Sequence, residues 1–233
     1  MIKIHAVRSG ILNISSCAIK PGVCGITGPN GSGKTTFLKL LAGIFPPGTG
    51  TIHIDGKNPA DCVIGWVGEY PDRNILFTRV FDELASHLRF SKKNCTDIEK
   101  IVCVCARNLG ISHLLDRAVH GLSGGELVLI ACGAAMIAQP DLLILDETDS
   151  HLDDEFCSHL DNIIQKSGIR YVLFSSHRPE HLAHADKIIT LENGEMQDHT
   201  SSQNTGNQGG HCHLNDPGFW KTVIAETSGR DTL

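Results

Sequence analysis

The chain of 233 residues is poor in aromatic side chains, which make up 5 % of it, and none precedes Phe37. No apolar run reaches the roughly 20 residues that a membrane-spanning helix needs. Basic residues are not in excess: 20 Lys and Arg stand against 26 Asp and Glu, a formal net charge of −6. That balance argues against nucleic acid as the main partner, because such proteins carry a basic surface. There is no Cys-x-x-Cys, so the nine cysteines lack the spacing of a tetrahedral zinc site. Met1-Ile-Lys-Ile-His is not a basic segment leading into an apolar stretch, so no secretory signal is read and a cytoplasmic chain is expected. A disulfide framework is then not expected either, and most cysteines should be small buried hydrophobes.

What remains suits one large α/β domain with a well-buried core. Strand-like runs open the chain at Ile2 to Val7, Ile11 to Ile19 and Val23 to Thr27. A glycine-rich loop and a helical stretch from Lys34 to Ile44 follow, with Leu38, Leu41 and Ala42 at helix spacing. Pro46-Pro47-Gly48 breaks that helix, and Thr51 to Ile54 and Val63 to Val67 read as further strands. Residues 75–120 look helical, and Thr96 with Glu99 has the spacing of a capping box. After Gly121 the pattern is helix, strand, helix, strand. Leu142 to Leu145 and Tyr171 to Phe174 are short apolar runs, as strands covered on both faces of a parallel sheet should be. From about His199 the composition turns polar, and residues 201–210 read as a linker, so the domain is expected to end near Gln197.

Gly28-Pro29-Asn30-Gly31-Ser32-Gly33-Lys34-Thr35 satisfies G-x-x-x-x-G-K-[ST] at every fixed position, with Thr36 next in line. Glycines in this pattern let backbone N–H groups converge on phosphates, and the following helix adds its dipole. Lys34 is the expected partner of the β- and γ-phosphates, and Thr35 the expected hydroxyl on Mg²⁺. Leu142-Leu-Ile-Leu-Asp146-Glu147 is an apolar strand ending in acids, the way such enzymes bring a carboxylate to the metal. Asp146 takes the metal role, and Glu147 is placed to polarise a water in line with the γ-phosphate.

Leu122-Ser123-Gly124-Gly125-Glu126 resembles the signature motif of the ABC family, and it lies about 20 residues before the acidic strand end, where that family has it. Ser150-His151-Leu152-Asp153 looks like the D-loop, and His177 like the switch histidine. The resemblance covers roughly residues 1–197. It implies a P-loop NTPase of ABC type: a parallel core sheet, a small β-rich N-terminal part and a helical subdomain at about 75–120, followed by a linker and tail at 198–233. It further implies Mg²⁺ and ATP as ligands. Two such chains, or this chain and a paralogue, would pair head to tail, with Ser123 and Gly125 of one capping the γ-phosphate on Lys34 of the other and Asp153 contributing at the junction. His177 would sense that phosphate. Such subunits sit at the cytoplasmic face of a membrane on transmembrane permease subunits. Tyr70-Pro-Asp-Arg-Asn-Ile-Leu-Phe77 with Val80-Phe-Asp-Glu83 is similar to the segment carried by energy-coupling-factor ATPases, which serve vitamin and cobalt or nickel importers.

Several positions depart from the family pattern. No glutamine precedes Gln139, so the Q-loop position is Glu69, a candidate metal contact. The adenine-stacking aromatic is missing, leaving His5 or an aliphatic side chain. Thr148 stands where proline is usual, and Leu127 to Cys132 replaces polar or basic residues; a buried core helix and a partner-facing patch are both readings of that run. His211-Cys212-His213 is a poor preformed metal site, Cys103 and Cys105 point to different helix faces, and Phe219-Trp220 could anchor the tail. Two other functions compete: a soluble ABC ATPase without a membrane partner, although no coiled-coil insertion or second ATPase domain is visible, and a weakly hydrolysing regulator.

Overall fold

The computed structural model describes residues 1–91, 93–150 and 152–199. The tail features at 211–213 and 219–220, and His151, lie outside the described residues. In chain order come β1 (Ile2–Ser9), β2 (Leu12–Ile19), β3 (Gly22–Thr27), α1 (Lys34–Leu41), β4 (Thr49–Ile54) and β5 (Ile64–Val67). Then follow α2 (Val80–Phe90), α3 (Cys95–Asn108), α4 (Gly124–Ile137), β6 (Leu142–Asp146) and α5 (Asp154–Lys166). The described part ends with β7 (Tyr171–Ser175), a short α6 (Pro179–Leu182), β8 (Lys187–Glu192) and β9 (Glu195–His199).

The N-terminal strands form an antiparallel sheet in the order β2-β1-β4. Alternation puts Ile2 and Ile4 inside and Lys3 and His5 outside. The pairing with β4 shifts register between His5 and Arg8, and Ala6 there has a φ of 49°. This bulge turns Val7 inward instead of Ala6. Gly50 permits it, because a β-carbon at that position would lie 2.3 Å from the Ala6 carbonyl oxygen.

The second sheet has the order β5-β6-β7-β3-β8-β9, parallel except for the last pair. Every residue of β6 and β7 is buried, as expected for central parallel strands with both faces covered. α2 and α3 pack on α4 through Leu84, Leu88, Ile101, Cys105, Leu129 and Ile130. They approach closely at Gly133, where a β-carbon would meet Leu109 Cδ1 at 2.6 Å. The run Leu127 to Cys132 therefore belongs to a core helix, buried at Val128, Leu129, Ile130, Ala131 and Cys132. Burial pushes the thiols of Cys105 and Cys132 up to about 12, so neither is a reactive thiolate.

One sequence expectation is corrected. Thr96 does not cap its helix: α3 begins two residues earlier, and Asn94 is the cap, its side chain accepting from the Asp97 amide. Thr96 instead donates its hydroxyl to Asn94. Asparagine is at least as good a cap as threonine, and it was available upstream.

The parallel strand order has one consequence for function. β7 lies between β6 and β3, with Ser175 in register with Asp146 on one side and Ile26 on the other. The ends of all three strands therefore open on one edge of the sheet, where ligands of such folds bind.

Candidate functional site

The loop from β3 to α1 is shaped by glycines that admit no side chain. Gly28 has a φ of 145°, and a β-carbon there would lie 2.0 Å from the Leu191 carbonyl oxygen. Gly33, at a φ of 103°, occupies the N-cap of α1, and its β-carbon would lie 2.7 Å from Leu12 Cδ2. No side chain caps this helix, so its first amides stay available to an anion. Pro29, Asn30 and Gly31 form the exposed tip, and Thr35 and Thr36 are half-buried. Ser32 is buried, and its hydroxyl has no hydrogen-bond partner among the described residues. A buried polar atom of this kind calls for a ligand oxygen.

Lys34 is 4 % exposed and its ammonium is fully engaged. It donates to the Gly28 carbonyl at 3.0 Å and lies 3.1 Å from His177 Nε2 and 3.2 Å from Glu147 Oε1. His177 Nε2 and Glu147 Oε1 are themselves 3.4 Å apart. Three residues that the sequence singled out separately thus meet as a triangle: a cation, a carboxylate and an imidazole.

Asp146 sits beside them, buried, and Ser175 Oγ donates to its Oδ1 at 2.8 Å. Burial pushes its pKa upward, opposed by hydrogen bonds from Ser175 and Thr35. A divalent cation would favour the ionised form, and this donor set of one carboxylate and one hydroxyl suits Mg²⁺, which takes few protein ligands and completes its shell with water and phosphate oxygens. No cluster of three or more His, Cys, Asp or Glu able to hold a metal occurs among the described residues. Glu147 follows in the left-handed region, with a φ of 51°, a backbone state costing on the order of 1–2 kcal/mol for such a residue. Its amide is held by Ser175 Oγ at 2.9 Å.

A second group forms at the starts of α4 and α5. Ser123 caps α4 in a full capping box with Glu126. The Ser123 amide and hydroxyl both donate to Glu126 Oε2, at 2.7 and 2.9 Å, and that bond holds the Glu126 carboxyl below its usual range. A β-carbon at Gly125 would lie 2.6 Å from the Phe156 ring. Asp153 caps α5, accepting from the Phe156 amide at 2.9 Å. Ser123, Gly125 and Asp153 are thus drawn together through Phe156, and the hydrogen bonds of Ser123 go to Glu126 rather than to the phosphate loop.

Residues 12–150 match the ABC transporter family. The chain belongs to it, as an ATP-binding domain. It is 31 % identical, over 197 residues, to a protein of Pyrococcus furiosus described as an ABC transporter ATP-binding protein, covering 80 % of this chain and 76 % of that one. It is 26 % identical over 185 residues to the energy-coupling factor transporter ATP-binding protein EcfA2 of Symbiobacterium thermophilum, covering 74 % of this chain and 64 % of that one. Among solved structures it resembles cbiO1 of Clostridium perfringens, part of the ABC transporter complex cbiONQ, with a TM-score of 0.78 at 23 % identity over 97 % of this chain and 91 % of the other. That last likeness concerns the fold. As a member of the family the protein is an ATPase, a P-loop domain built on a mostly parallel sheet.

Two further positions bear on how this ABC ATPase works. Val67 pairs with Leu145, so Glu69 leaves the sheet beside the Asp146–Glu147 end. Its carboxylate holds the Tyr70 hydroxyl, whose pKa rises chiefly through that bond and through the charge of Glu69, with desolvation adding to the rise. His5, the sequence candidate near the base, lies exposed in β1. Buried Leu12 and exposed Ile11 flank the phosphate loop instead; Ile11 is 54 % exposed, its Cδ1 3.4 Å from where a Gly33 β-carbon would be. Sequence reading also missed Ser175, whose hydroxyl joins Asp146 to the Glu147 amide. The available signal was two serines closing an apolar strand just before His177.

Proposed function

We propose that this ATPase powers a membrane importer of the energy-coupling-factor type, hydrolysing Mg-ATP between two chains paired head to tail at the cytoplasmic face of the membrane. The observation that carries the reading is the meeting of Lys34, Glu147 and His177 within 3.4 Å, next to Asp146. Lys34 neutralises charge on the transferred phosphoryl group, Glu147 orients and deprotonates water, and His177 reports on the γ-phosphate. Thr35 and Asp146, with Glu69, would hold Mg²⁺, which supplies further charge neutralisation when bound. Gly28 to Thr36 would cradle the phosphates, and Ser123, Gly125 and Asp153 would complete the partner's site. We take residues 1–197 as the domain that does this, with its helical part at about 75–120.

Support for the membrane partner comes from the segment around residues 70–90, where Leu76 is 80 % and Phe90 77 % exposed. Large apolar side chains left in water suit a docked subunit. Support for the importer type comes from the same stretch, where Glu83 is buried and accepts from the amides of Leu76 and Phe77, both at 2.9 Å, together with the likeness to EcfA2.

The test is co-expression with a transmembrane coupling protein of the energy-coupling-factor class. A co-purified complex should take up its cargo into vesicles in an ATP-dependent way, and Lys34→Ala should abolish uptake without dissociating the complex. Robust turnover by the purified chain that no membrane subunit binds or alters would overturn the transport reading and leave a stand-alone ATPase.

A further inference from the structure

Four consecutive residues at the end of β7 reach across to the segment after β6. Ser175 Oγ donates to Asp146 Oδ1 at 2.8 Å and accepts from the Glu147 amide at 2.9 Å. Ser176 Oγ donates to Asp149 and accepts from the Arg178 amide at 2.9 Å. His177 meets Glu147, and the Arg178 guanidinium donates to the Leu152 carbonyl at 2.8 Å. Ser175 is 2 % exposed and Ser176 is 0 % exposed, so water is not at hand to replace either hydroxyl.

The geometry points to Ser175 as a positioning residue of the ATPase site, one that sets the orientation of the Asp146 carboxylate and the backbone of Glu147 at the same time. A serine hydroxyl has one proton to give and lone pairs to receive. Here the proton goes to Asp146, and the lone pair takes the Glu147 N–H. Tying Oδ1 fixes the rotation of the carboxylate about its last bond, which decides what it offers to Thr35 and to Mg²⁺. Tying the amide holds Glu147 in its left-handed backbone state, from which its side chain reaches Lys34 and His177. Without the hydroxyl, a buried acid loses a charge-assisted bond and a buried amide loses its acceptor. Ser176 is the natural comparison. It makes buried hydrogen bonds of the same chemistry, but to Asp149 and the Arg178 amide, so it touches neither Asp146 nor Glu147.

The inference rests on the roles proposed for Asp146 and Glu147, so the experiment measures those as well. Purified full-length chains carrying Ser175→Ala, Ser175→Thr, Ser176→Ala, Asp146→Asn and Glu147→Gln are compared in steady-state turnover. Mn²⁺ binding to each ADP complex is measured by electron paramagnetic resonance, and thermal unfolding records stability. Loss of a buried hydrogen bond to a charged group predicts that Ser175→Ala lowers kcat about ten- to hundredfold. KM for ATP should stay within about twofold, as expected when an interaction outside uniform binding is lost, and Mn²⁺ should bind several-fold more weakly. Ser175→Thr, which keeps the hydroxyl, should recover most of both. Ser176→Ala should lower the unfolding temperature and leave Mn²⁺ affinity unchanged. If Ser175→Ala keeps wild-type kcat and Mn²⁺ affinity while Asp146→Asn and Glu147→Gln lose turnover, the positioning role is wrong and the site reading stands. If Asp146→Asn and Glu147→Gln also retain turnover, the site reading itself fails. Equal shifts in Mn²⁺ affinity for both serine variants would reduce Ser175 to a general stabilising contact and overturn the inference.

Discussion

Replacing Glu147 by glutamine should make nucleotide bind more tightly while turnover collapses. Lys34 is held by Glu147 Oε1 at 3.2 Å, with the lysine 4 % and the glutamate 24 % exposed. To reach phosphates the ammonium must leave that carboxylate. The bare Coulomb attraction at this separation is about 5 kcal/mol at an effective dielectric constant near 20, but desolvation offsets most of it. A hydrogen bond to a charged group has a net worth of about 1.5–3 kcal/mol. Glutamine keeps the shape and an acceptor oxygen but drops the charge, so roughly half of that stabilisation should remain. The difference, about 0.8–1.5 kcal/mol, corresponds to roughly four- to twelvefold tighter ATP binding. Removing a general base should at the same time cost about 10²–10⁴ in kcat. Equilibrium binding of a fluorescent ATP analogue and a phosphate-release assay read the two effects separately. Unchanged affinity would mean that Glu147 does not restrain Lys34. Wild-type turnover would remove Glu147 from the chemistry.

Assembly is tested by mixing two dead chains, Lys34→Ala and Ser123→Arg: the head-to-tail arrangement predicts partial recovery of ATPase from dimers holding one intact site, and a mixture as inactive as its parents would sink it. With Ile11 rather than an aromatic ring beside the loop, ATP and GTP should be hydrolysed at similar rates, and Ile11→Tyr should lower KM for ATP because stacking contributes about 1–3 kcal/mol in nucleic-acid sites; a strong ATP preference in the native chain would show that another ring covers the base. Glu69→Gln should raise the Mg²⁺ concentration for half-maximal turnover if that carboxylate faces the metal, whereas tighter ATP binding at fixed Mg²⁺ would place it against the phosphate. His181 is buried and its Nδ1 lies 3.2 Å from Asp161, whose hydrogen bond raises its pKa, with Asp149 adding to the rise and desolvation and Arg178 opposing it. Stability from a raised histidine is complete below the ordinary value of about 6.5 and fades as pH climbs through the folded value. Asp161→Asn should therefore lower the unfolding temperature by several degrees at pH 6 and by much less at pH 9; an equal loss at both would rule the charge out.

Local patterns fixed a good deal of this protein without any structure. The phosphate loop was readable because a strand, a set of glycines and a helix start lie within a dozen residues, and the chemistry needs them in that order. The place of Asp146 and Glu147 at a strand end was readable because an apolar run ending in acids is itself local. The core character of α4 was legible too, its apolar residues leaving no polar face. The capping of α3 was misread because two polar residues two positions apart, Asn94 and Thr96, could each begin the helix, and only the observed backbone chose between them. What sequence could not give is who meets whom across the sheet. His177 stands 143 residues from Lys34, and Ser175 lies 29 from Asp146. Parallel strands join through crossovers, so their spatial order does not follow their order along the chain. Side-chain periodicity tells a strand which face to bury but not which strand lies beside it. The order β6-β7-β3 exists only in the packed sheet, one face under α4 and α5 and the other under α1 and the N-terminal strands, and it turned Ser175 from a strand end into a link between the Asp146 side chain and the Glu147 backbone.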